Sequence, residues 1–152
     1  PLYGNGGEGI NRSKDEKLTG FDIDGEYLDM PIMAQKYIPE INEGDRRIIF
    51  FDGDYVGSVA RIPSDGSIKA NFHAGGSAKK TGLVFRDKQI IDKLSKDLKK
   101  LGLFFVGIDI IGDYLTEINV TSPTGIKQIN KLNNVKLEQV FWDKLEAKYK
   151  IV

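Results

Sequence analysis

The stretch DYLTEINVTSPTG, residues 113–125, combines a strand-like alternation with oxygen-bearing side chains. Glu117 and Asn119 are two residues apart, so in a strand their side chains lie on one face. A turn at residues 112–113 would bring Asp109 nearly opposite Glu117. Mg²⁺ prefers such hard oxygen ligands, usually one or two carboxylates with substrate phosphates and water. The pattern indicates either a magnesium hairpin or a solvated polar face on an edge hairpin.

Two glycine-rich stretches could leave backbone amides open to a phosphate group. YGNGGEGI, residues 3–10, lacks both the Gly-Lys-Ser/Thr of a P-loop and the flanking strand and helix of a dinucleotide fingerprint. HAGGSAKK, residues 73–80, adds lysines to its glycines. Each stretch is equally compatible with a solvated loop, so neither decides the function alone.

Three arginines flank a predicted β-hairpin. Arg46 and Arg47 begin one β-rich run and Arg61 ends the next, with an Asp-Gly turn signal between them, which predicts a hairpin over residues 44–62. At its open end, Arg47 and Arg61 could bind a carboxylate or a phosphate. Plain surface arginines are the alternative.

The remaining elements follow from local pattern. Further strands are predicted at residues 30–38, 103–111 and 114–120. Helices are predicted at residues 87–101 before Gly102, from a cap at Ser122 with Pro123 in the first turn, and at residues 135–149 with Phe141 and Trp142 in the core. Residues 63–82 are predicted to form a long loop. Hairpins followed by helices predict the α+β class.

Composition excludes several function classes. The 152 residues include 22 Lys and Arg against 22 Asp and Glu, which argues against a general nucleic-acid binder. The absence of cysteine excludes a thiol nucleophile or cysteine zinc site and is typical of a reducing compartment, so we expect a cytoplasmic protein. Apolar runs are too short to span a bilayer, and no secretory leader is visible. We expect a single domain over residues 1–152, and its start in front of a glycine cluster indicates a fragment of a longer protein.

Three stretches resemble the C-terminal part of bacterial glutathione synthetase, an ATP-grasp ligase. They are MAQKYIPEINEGDRRIIFFDG, ARIPSDGSIKANFHAGGSAKK and FVGIDIIGDYLTEINVTSPTGI, so the resemblance covers nearly all of residues 33–129. PLYGNGG at the start is similar to the family's Lys-Pro-Leu-x-Gly-x-Gly-Gly segment. The resemblance implies an ATP-grasp C-terminal subdomain, mainly an antiparallel sheet flanked by helices.

The resemblance implies a ligase that joins γ-glutamylcysteine to glycine. ATP would phosphorylate the cysteinyl carboxylate, and the amine of glycine would attack the acyl phosphate. The partners would be these small molecules, with no nucleic acid or membrane, and the full-length enzyme would be a homo-oligomer. Such chemistry needs the charge on the phosphoryl group to be offset. It also needs water to be excluded, which a closing glycine-bearing loop would achieve.

The resemblance also implies residues for the nucleotide and the metal. Magnesium, or manganese in its place, would be held by Asp109, Glu117 and Asn119. The nucleotide would be contacted by Gly6, Gly7, Gln35, Lys36, Tyr37, Ile38 and Asp45. In this set the glycines belong to a loop over the phosphates, the four consecutive residues form the adenine hinge, and the aspartate reaches the ribose.

Further roles fall on the hairpin, the long loop and the segment after the last strand. Arg47 and Arg61 would face the phosphates and the carboxylate under attack. Lys69 and Gly76, with Gly75, would lie on the loop that closes over the acyl phosphate. Ser122 and Thr124 would border the acceptor site.

The chain departs from the family pattern in one respect. The family has a lysine directly before this Pro-Leu and another in an earlier region, and neither is in the chain, nor is the N-terminal substrate-binding portion. Two alternatives therefore stay open. One is another ATP-grasp carboxylate–amine ligase with a different acceptor, and the other is a truncated nucleotide-binding module that is inactive on its own.

Overall fold

The computed structural model describes Leu2, Ile10 and residues 31–150. The chain divides into two compact units, Pro1–Pro39 and Glu40–Val152. In the first unit, the backbone N–H of Leu2 donates to the carbonyl of Pro31 at 2.9 Å. Residues 31–38 carry no regular secondary structure, so the strand predicted at residues 30–38 is wrong over its described part. Apolar alternation alone does not make a strand, because the backbone also needs a hydrogen-bonded neighbour.

The described part of the second unit contains a five-stranded sheet and three α-helices. The strands are β1 (Asp45–Phe51), β2 (Asp54–Ile62), β3 (Ser77–Lys79), β4 (Phe105–Ile111) and β5 (Tyr114–Asn119). The helices are α1 (Phe85–Lys100), α2 (Ile126–Asn133) and α3 (Leu137–Tyr149), with 3-10 helices at Pro39–Glu43 and Phe72–Ala74. The strand order is β3-β2-β1-β4-β5, and every neighbouring pair is antiparallel. This architecture confirms the α+β prediction, and none of the described helices is long and apolar enough to cross a membrane.

The two faces of the sheet bury different cores. Successive side chains of a strand point to opposite faces, so the even-numbered residues of β1 face one way and the odd-numbered residues face the other. Ile48 and Phe50 pack with α1, whose buried residues include Ile90. Ile49 and Phe51 pack on the other face with α2 and α3. Both faces of the central strands are therefore buried, as predicted for residues 103–111.

A buried ion pair ties α1 to the sheet. Asp87 in the first turn of α1 is fully buried and accepts the backbone N–H of Val84 at 3.1 Å. It also accepts three hydrogen bonds from Arg46, at 3.1 and 2.9 Å from Nε and at 2.8 Å from Nη2. The same guanidinium donates to the carbonyl of Gly112 at 2.6 Å. Arg46 thus joins β1 to the start of α1 and to the β4–β5 turn.

The turn predictions at the hairpins are confirmed. Asp52 and Gly53 both have positive φ, at 52° and 74°, which is the backbone of a type I′ hairpin turn. In the β4–β5 hairpin, Asp109 lies opposite Glu117, but Ile110 lies opposite Leu115. Thr116 is therefore the extra residue of a β-bulge.

The long loop differs from its prediction in one respect. The chain leaves β2 at Ile62 and returns to pair with it at Ser77, so residues 77–79 form β3 instead of continuing the loop. Residues 63–76 are thereby closed at their base into a compact excursion. No pattern in residues 77–79 predicts β3, because a three-residue strand is too short for periodicity to show.

Two predictions near the C-terminal helices are wrong. Ser122 does not cap a helix, because it has a φ of 50° and α2 begins only at Ile126, after Gly125. Pro123 is buried against the sheet instead of entering the first turn. Trp142 is 57% exposed, so its predicted core role is also wrong. Phe141 does lie in the core, where its ring meets that of Phe51 edge-on at 5.3 Å.

Candidate functional site

Five charged residues occupy one end of the sheet face that packs against α2 and α3. β1 contributes Asp45 and Arg47, β2 contributes Arg61, β4 contributes Asp109 and β5 contributes Glu117. Their positions follow from register, since Asp45 pairs with Arg61, and Asp109 is flanked by Arg47 and Glu117. We call these five residues the polar cluster. It lies on the same face as Ile49 and Phe51, at the open end of the β1–β2 hairpin.

The two arginines of the polar cluster are buried and held by its carboxylates. Arg61 donates to both oxygens of Asp45, at 2.7 Å from Nε and 2.6 Å from Nη2. Its Nη2 also lies 2.6 Å from Oδ2 of Asp109. Arg47 donates to both Asp109 oxygens, with Nη2 at 2.8 Å from Oδ2. The carboxylates that the arginines bind in this structure are therefore those of Asp45 and Asp109.

Burial and neighbouring charges set the protonation of the carboxylates. Burial raises the pKa of Asp45 by more than its hydrogen bond from Arg61 lowers it. Burial acts in the same direction on Asp109, but the hydrogen bond from Arg47 and the charge of Arg61 outweigh it and lower the pKa. Burial, and then the charge of Asp109, raise the pKa of Glu117. The charges of Arg47 and Arg61 act in the opposite direction on Glu117 but do not outweigh burial and Asp109.

The donor set of the cluster fits a hard divalent cation. When ionised, three carboxylates face two guanidinium groups, which leaves an excess of negative charge. Asn119 shares the face of Glu117 and lies opposite Gly107, and its Oδ1 accepts the backbone N–H of Thr121 at 3.0 Å. Over the part of the chain that the structure describes, no three acidic, histidine or cysteine side chains form a complete metal cage. A cation here would therefore need oxygens from substrate phosphates or water, as Mg²⁺ commonly does.

A polar cavity of about 180 Å³ lies beside the cluster. Asp45 and Arg46 line one side, and Glu40, Glu43 and Thr81 are also among its walls. Asp45 is the only one of these that also belongs to the polar cluster. The cavity and the cluster are therefore joined at the first residue of β1.

The segment between β5 and α2 is fixed to the polar cluster by its backbone. The carbonyl of Thr124 accepts a hydrogen bond from Nη1 of Arg47 at 3.2 Å. Ser122 is exposed and does not share this contact. The structure thus brings Thr124 and Arg47 together.

The loop of residues 63–76 is tightly folded where its predicted residues lie. A Cβ on Gly76 would be 2.0 Å from the carbonyl oxygen of Ala70, so only glycine fits there. Gly75 has a φ of 88°. Lys69 is half-buried, and its backbone N–H donates to Oγ of Ser67 at 3.0 Å.

The other predicted nucleotide residues belong elsewhere in the chain. Gly6 and Gly7 lie outside the described residues. The four hinge residues, Gln35, Lys36, Tyr37 and Ile38, belong to the first compact unit. Within that unit, Nε2 of Gln35 lies 3.4 Å from Sδ of Met33. The polar cluster is therefore the part of the predicted site that the second unit assembles by itself.

Sequence analysis did not single out two residues that shape the cluster. A Cβ on Gly107 would be 2.6 Å from Cβ of Pro123 and 3.4 Å from Cδ of Arg47, so its lack of a side chain lets the β5–α2 segment approach. The ring centre of Phe72 lies 5.9 Å from Cζ of Arg61. Gly107 precedes Asp109 by two residues and so shares its face, a signal that strand alternation contained.

The match to known proteins covers the whole polar cluster. The model of the family described as prokaryotic glutathione synthetase, ATP-grasp domain, matches residues 1–134. The chain belongs to this family. The match includes all five strands and the 63–76 loop, and it ends just after α2.

Individual members of the prokaryotic glutathione synthetase family align with nearly the entire chain. The glutathione synthetase of Agrobacterium fabrum is 41% identical over 97% of this chain and 47% of its own length. That of Brucella melitensis is 42% identical over 97% of the chain and 48% of its own length. That of Prochlorococcus marinus is 44% identical over 95% and 48%, respectively. The chain thus spans about half the length of the curated relatives that it matches.

Proposed function

We propose that this chain is the ATP-grasp portion of a glutathione synthetase, which uses ATP to join γ-glutamylcysteine to glycine. The observation that carries the proposal is the buried Asp109 carboxylate, held by two arginines opposite Glu117, within a region that matches this family. The relatives that align over nearly the whole chain bear the name glutathione synthetase. We further propose a cytoplasmic enzyme that is a homo-oligomer in its full length.

The proposed reaction has two steps. The cysteinyl carboxylate attacks the γ-phosphorus of ATP, and the bond from that phosphorus to the ADP oxygen breaks. The amine of glycine then attacks the acyl carbon, phosphate leaves, and the amine loses a proton as the peptide bond forms. Both steps require stabilisation of phosphoryl charge and exclusion of water.

The metal-site residues would be Asp109, Glu117 and Asn119. A bound Mg²⁺, or Mn²⁺ in its place, would offset negative charge on the ATP phosphates. Arg47 and Arg61 would face the phosphates and the carboxylate under attack. They would also orient Asp109, whose carboxylate oxygens they contact in this structure. Hydrogen bonds that hold a metal-binding carboxylate in one orientation commonly tune metal affinity.

The remaining roles extend from the cluster. Asp45 would meet the ribose, supported by its place in the wall of the 180 Å³ polar cavity. Gly6 and Gly7 would cover the phosphates, and residues 35–38 would meet adenine. In the loop of residues 63–76, Lys69 and Gly76 would close over the acyl phosphate. Thr124, next to Arg47, and Ser122 would border the acceptor site.

The test of the proposed function uses the natural full-length protein that contains this chain. Phosphate release should depend on γ-glutamylcysteine, glycine and Mg²⁺ together, and glutathione should accumulate in equal amount. A full-length protein that releases no phosphate with these substrates would contradict the proposal.

A single substitution tests the metal assignment separately. Glu117→Gln removes one carboxylate charge at constant shape, so Mg²⁺-dependent ATP affinity should fall by at least about tenfold in titration calorimetry. Glu146→Gln is the matched control, since Glu146 is an exposed glutamate on α3, and it should bind ATP like the wild type. Equal affinity in the Glu117 variant and the control would remove Glu117 from the metal site.

A further inference from the structure

Phe72 is the aromatic side chain that reaches the polar cluster from the 63–76 loop. Its ring centre lies 5.9 Å from Cζ of Arg61, within the range of a cation–π contact. Arg61 uses its edge for hydrogen bonds to Asp45 and Asp109. A neighbouring ring adds a contact to a guanidinium whose donors are already engaged, and so restricts its orientation further.

The same ring faces the segment that leads to α2. Cε2 of Phe72 lies 3.9 Å from the position that a Cβ on Gly125 would occupy. Gly125 directly follows Thr124, whose carbonyl accepts the hydrogen bond from Arg47. Phe72 is half-buried against the core formed by residues such as Ile49 and Val59. One side chain of the loop therefore lies against Arg61 and the core and faces Gly125 of the β5–α2 segment.

The backbone around Phe72 is held by its own hydrogen bonds, so the position of the ring is linked to that of the neighbouring residues. The carbonyl of Asn71 accepts the N–H of Ala74 at 2.9 Å and that of Gly76 at 3.1 Å. The carbonyl of Phe72 accepts the N–H of Gly75 at 3.2 Å. Because β3 begins directly after Gly76 and pairs with β2 beside Arg61, the C-terminal end of this turn is fixed.

We propose that Phe72 is a positioning residue that seats the 63–76 loop on Arg61 and Gly125. The inference rests on the proposed ligase function for its catalytic consequence, and on the structure alone for the seating itself. An unseated loop admits water to the acyl phosphate and removes the contact of the ring with Arg61. Loss of the ring therefore uncouples phosphate release from peptide-bond formation.

The seating is tested by hydrogen exchange on this chain, without substrates. In Phe72→Ala, the amides of Ala74, Gly75 and Gly76 should exchange at least about tenfold faster, since local opening governs their protection. Phe104→Ala is the matched control, because Phe104 is also half-buried in the same core and lies under a cation, Lys148 at 5.7 Å. Exchange of these three amides should be unchanged in the control, and equal acceleration in both variants would overturn the proposal.

The catalytic consequence is tested in the full-length enzyme. Phe72→Ala should lower kcat by up to about 100-fold, as expected when a positioned group shifts by about 1 Å. The ratio of phosphate to glutathione should rise above one, while the KM for ATP stays within about twofold of wild type. Phe72→Tyr, which keeps the ring, should restore both kcat and the ratio, and Phe104→Ala should leave the ratio at one.

The outcomes separate the two proposals. Full activity and a ratio of one in Phe72→Ala would overturn the positioning role even if the ligase function holds. A wild-type enzyme without ligase activity would instead overturn the proposed function. The exchange experiment would then decide by itself whether Phe72 seats the loop.

Discussion

The two ends of the β1–β2 hairpin bind aspartates to cations in opposite ways. At the open end, Arg61 is 3% exposed and grips Asp45 with two hydrogen bonds. At the turn end, Asp54 accepts a hydrogen bond at 2.7 Å from Nζ of both Lys99 and Lys144, but its side chain is 48% exposed. The ends differ in cation type and burial, although both place an aspartate against positive charge.

The difference in cation type and burial distinguishes an end that orients carboxylates from an end that only attaches helices to the hairpin. Arginine offers a planar fork that fixes a carboxylate in direction as well as distance, whereas lysine is a flexible point charge. A buried ion pair is seldom a source of net stability relative to apolar residues, yet removal of one partner is costly. An exposed lysine–aspartate pair contributes little and is screened by salt. The ion pairs at the open end thus fix the orientation of carboxylates. Those at the turn end attach α1 and α3 to the hairpin and contribute little to stability.

The largest contrast is expected from removing one cation at each end. Arg47→Met leaves Asp109 buried with an incomplete set of donors, so the free energy of unfolding should fall by about 3–5 kcal/mol. Lys144→Met at the turn end should cost no more than about 1 kcal/mol. Urea unfolding of this chain, followed by circular dichroism, measures both. Similar losses for the two variants would abolish the distinction between the ends.

A smaller effect is expected from adding a methyl group at the open end. Gly107→Ala would place Cβ 2.6 Å from the rigid ring atom Cβ of Pro123, so the β5–α2 segment must move. We expect a loss of about 1–3 kcal/mol in thermal unfolding, as for other overpacked sites. Gly82→Ala is the control, since a Cβ there meets nothing within 4 Å, and it should be nearly neutral. An equally neutral Gly107→Ala would show that this approach is not close-packed.

The smallest effect is expected at the turn end and depends on pH and salt. Hydrogen bonds from Lys144 and Lys99 lower the pKa of Asp54 below its ordinary value of 3.8. A lowered carboxyl pKa stabilises the fold above the ordinary value, and the contribution is lost as pH falls through the lowered value. Asp54→Asn should therefore cost less than about 1 kcal/mol at pH 7, and less again at pH 2 or in 1 M salt. A cost that is independent of pH and salt would contradict this origin.

The correct predictions of the fold rest mostly on patterns between residues that are close together in the chain. The Asp52-Gly53 turn sets the β1–β2 pairs next to it, up to the register shift between Ile49 and Phe50, and the helical stripe of α1 needs no tertiary information. A turn and alternation likewise predict Asp109 nearly opposite Glu117, and the bulge at Thr116 makes the two residues direct partners. Each of these depends on residues close together in the chain.

What the sequence could not supply depends on distant contacts. The hydroxyl and proline at residues 122–123 read as a helix cap, but Pro123 is used to cover Gly107 instead. The arginines were predicted to meet carboxylates or phosphates, and register decided that Asp45 and Asp109 are the carboxylates present. Phe72 had no sequence signal, because its role arises only when the loop folds back over Arg61.

The bulge at Thr116 lets an apolar and an acidic residue two positions apart face opposite sides of the sheet. Apolar Leu115 and acidic Glu117 both have odd numbers, so a regular strand would present them on the same side. With the extra residue at Thr116, Leu115 lies opposite Ile110 and borders a cavity with Ile90 and Leu94 of α1, while Glu117 stays opposite Asp109. The one extra residue thus places the apolar and the acidic side chain on opposite faces of the sheet. Glu117 stays opposite Asp109 because the bulge interrupts the strand's alternation.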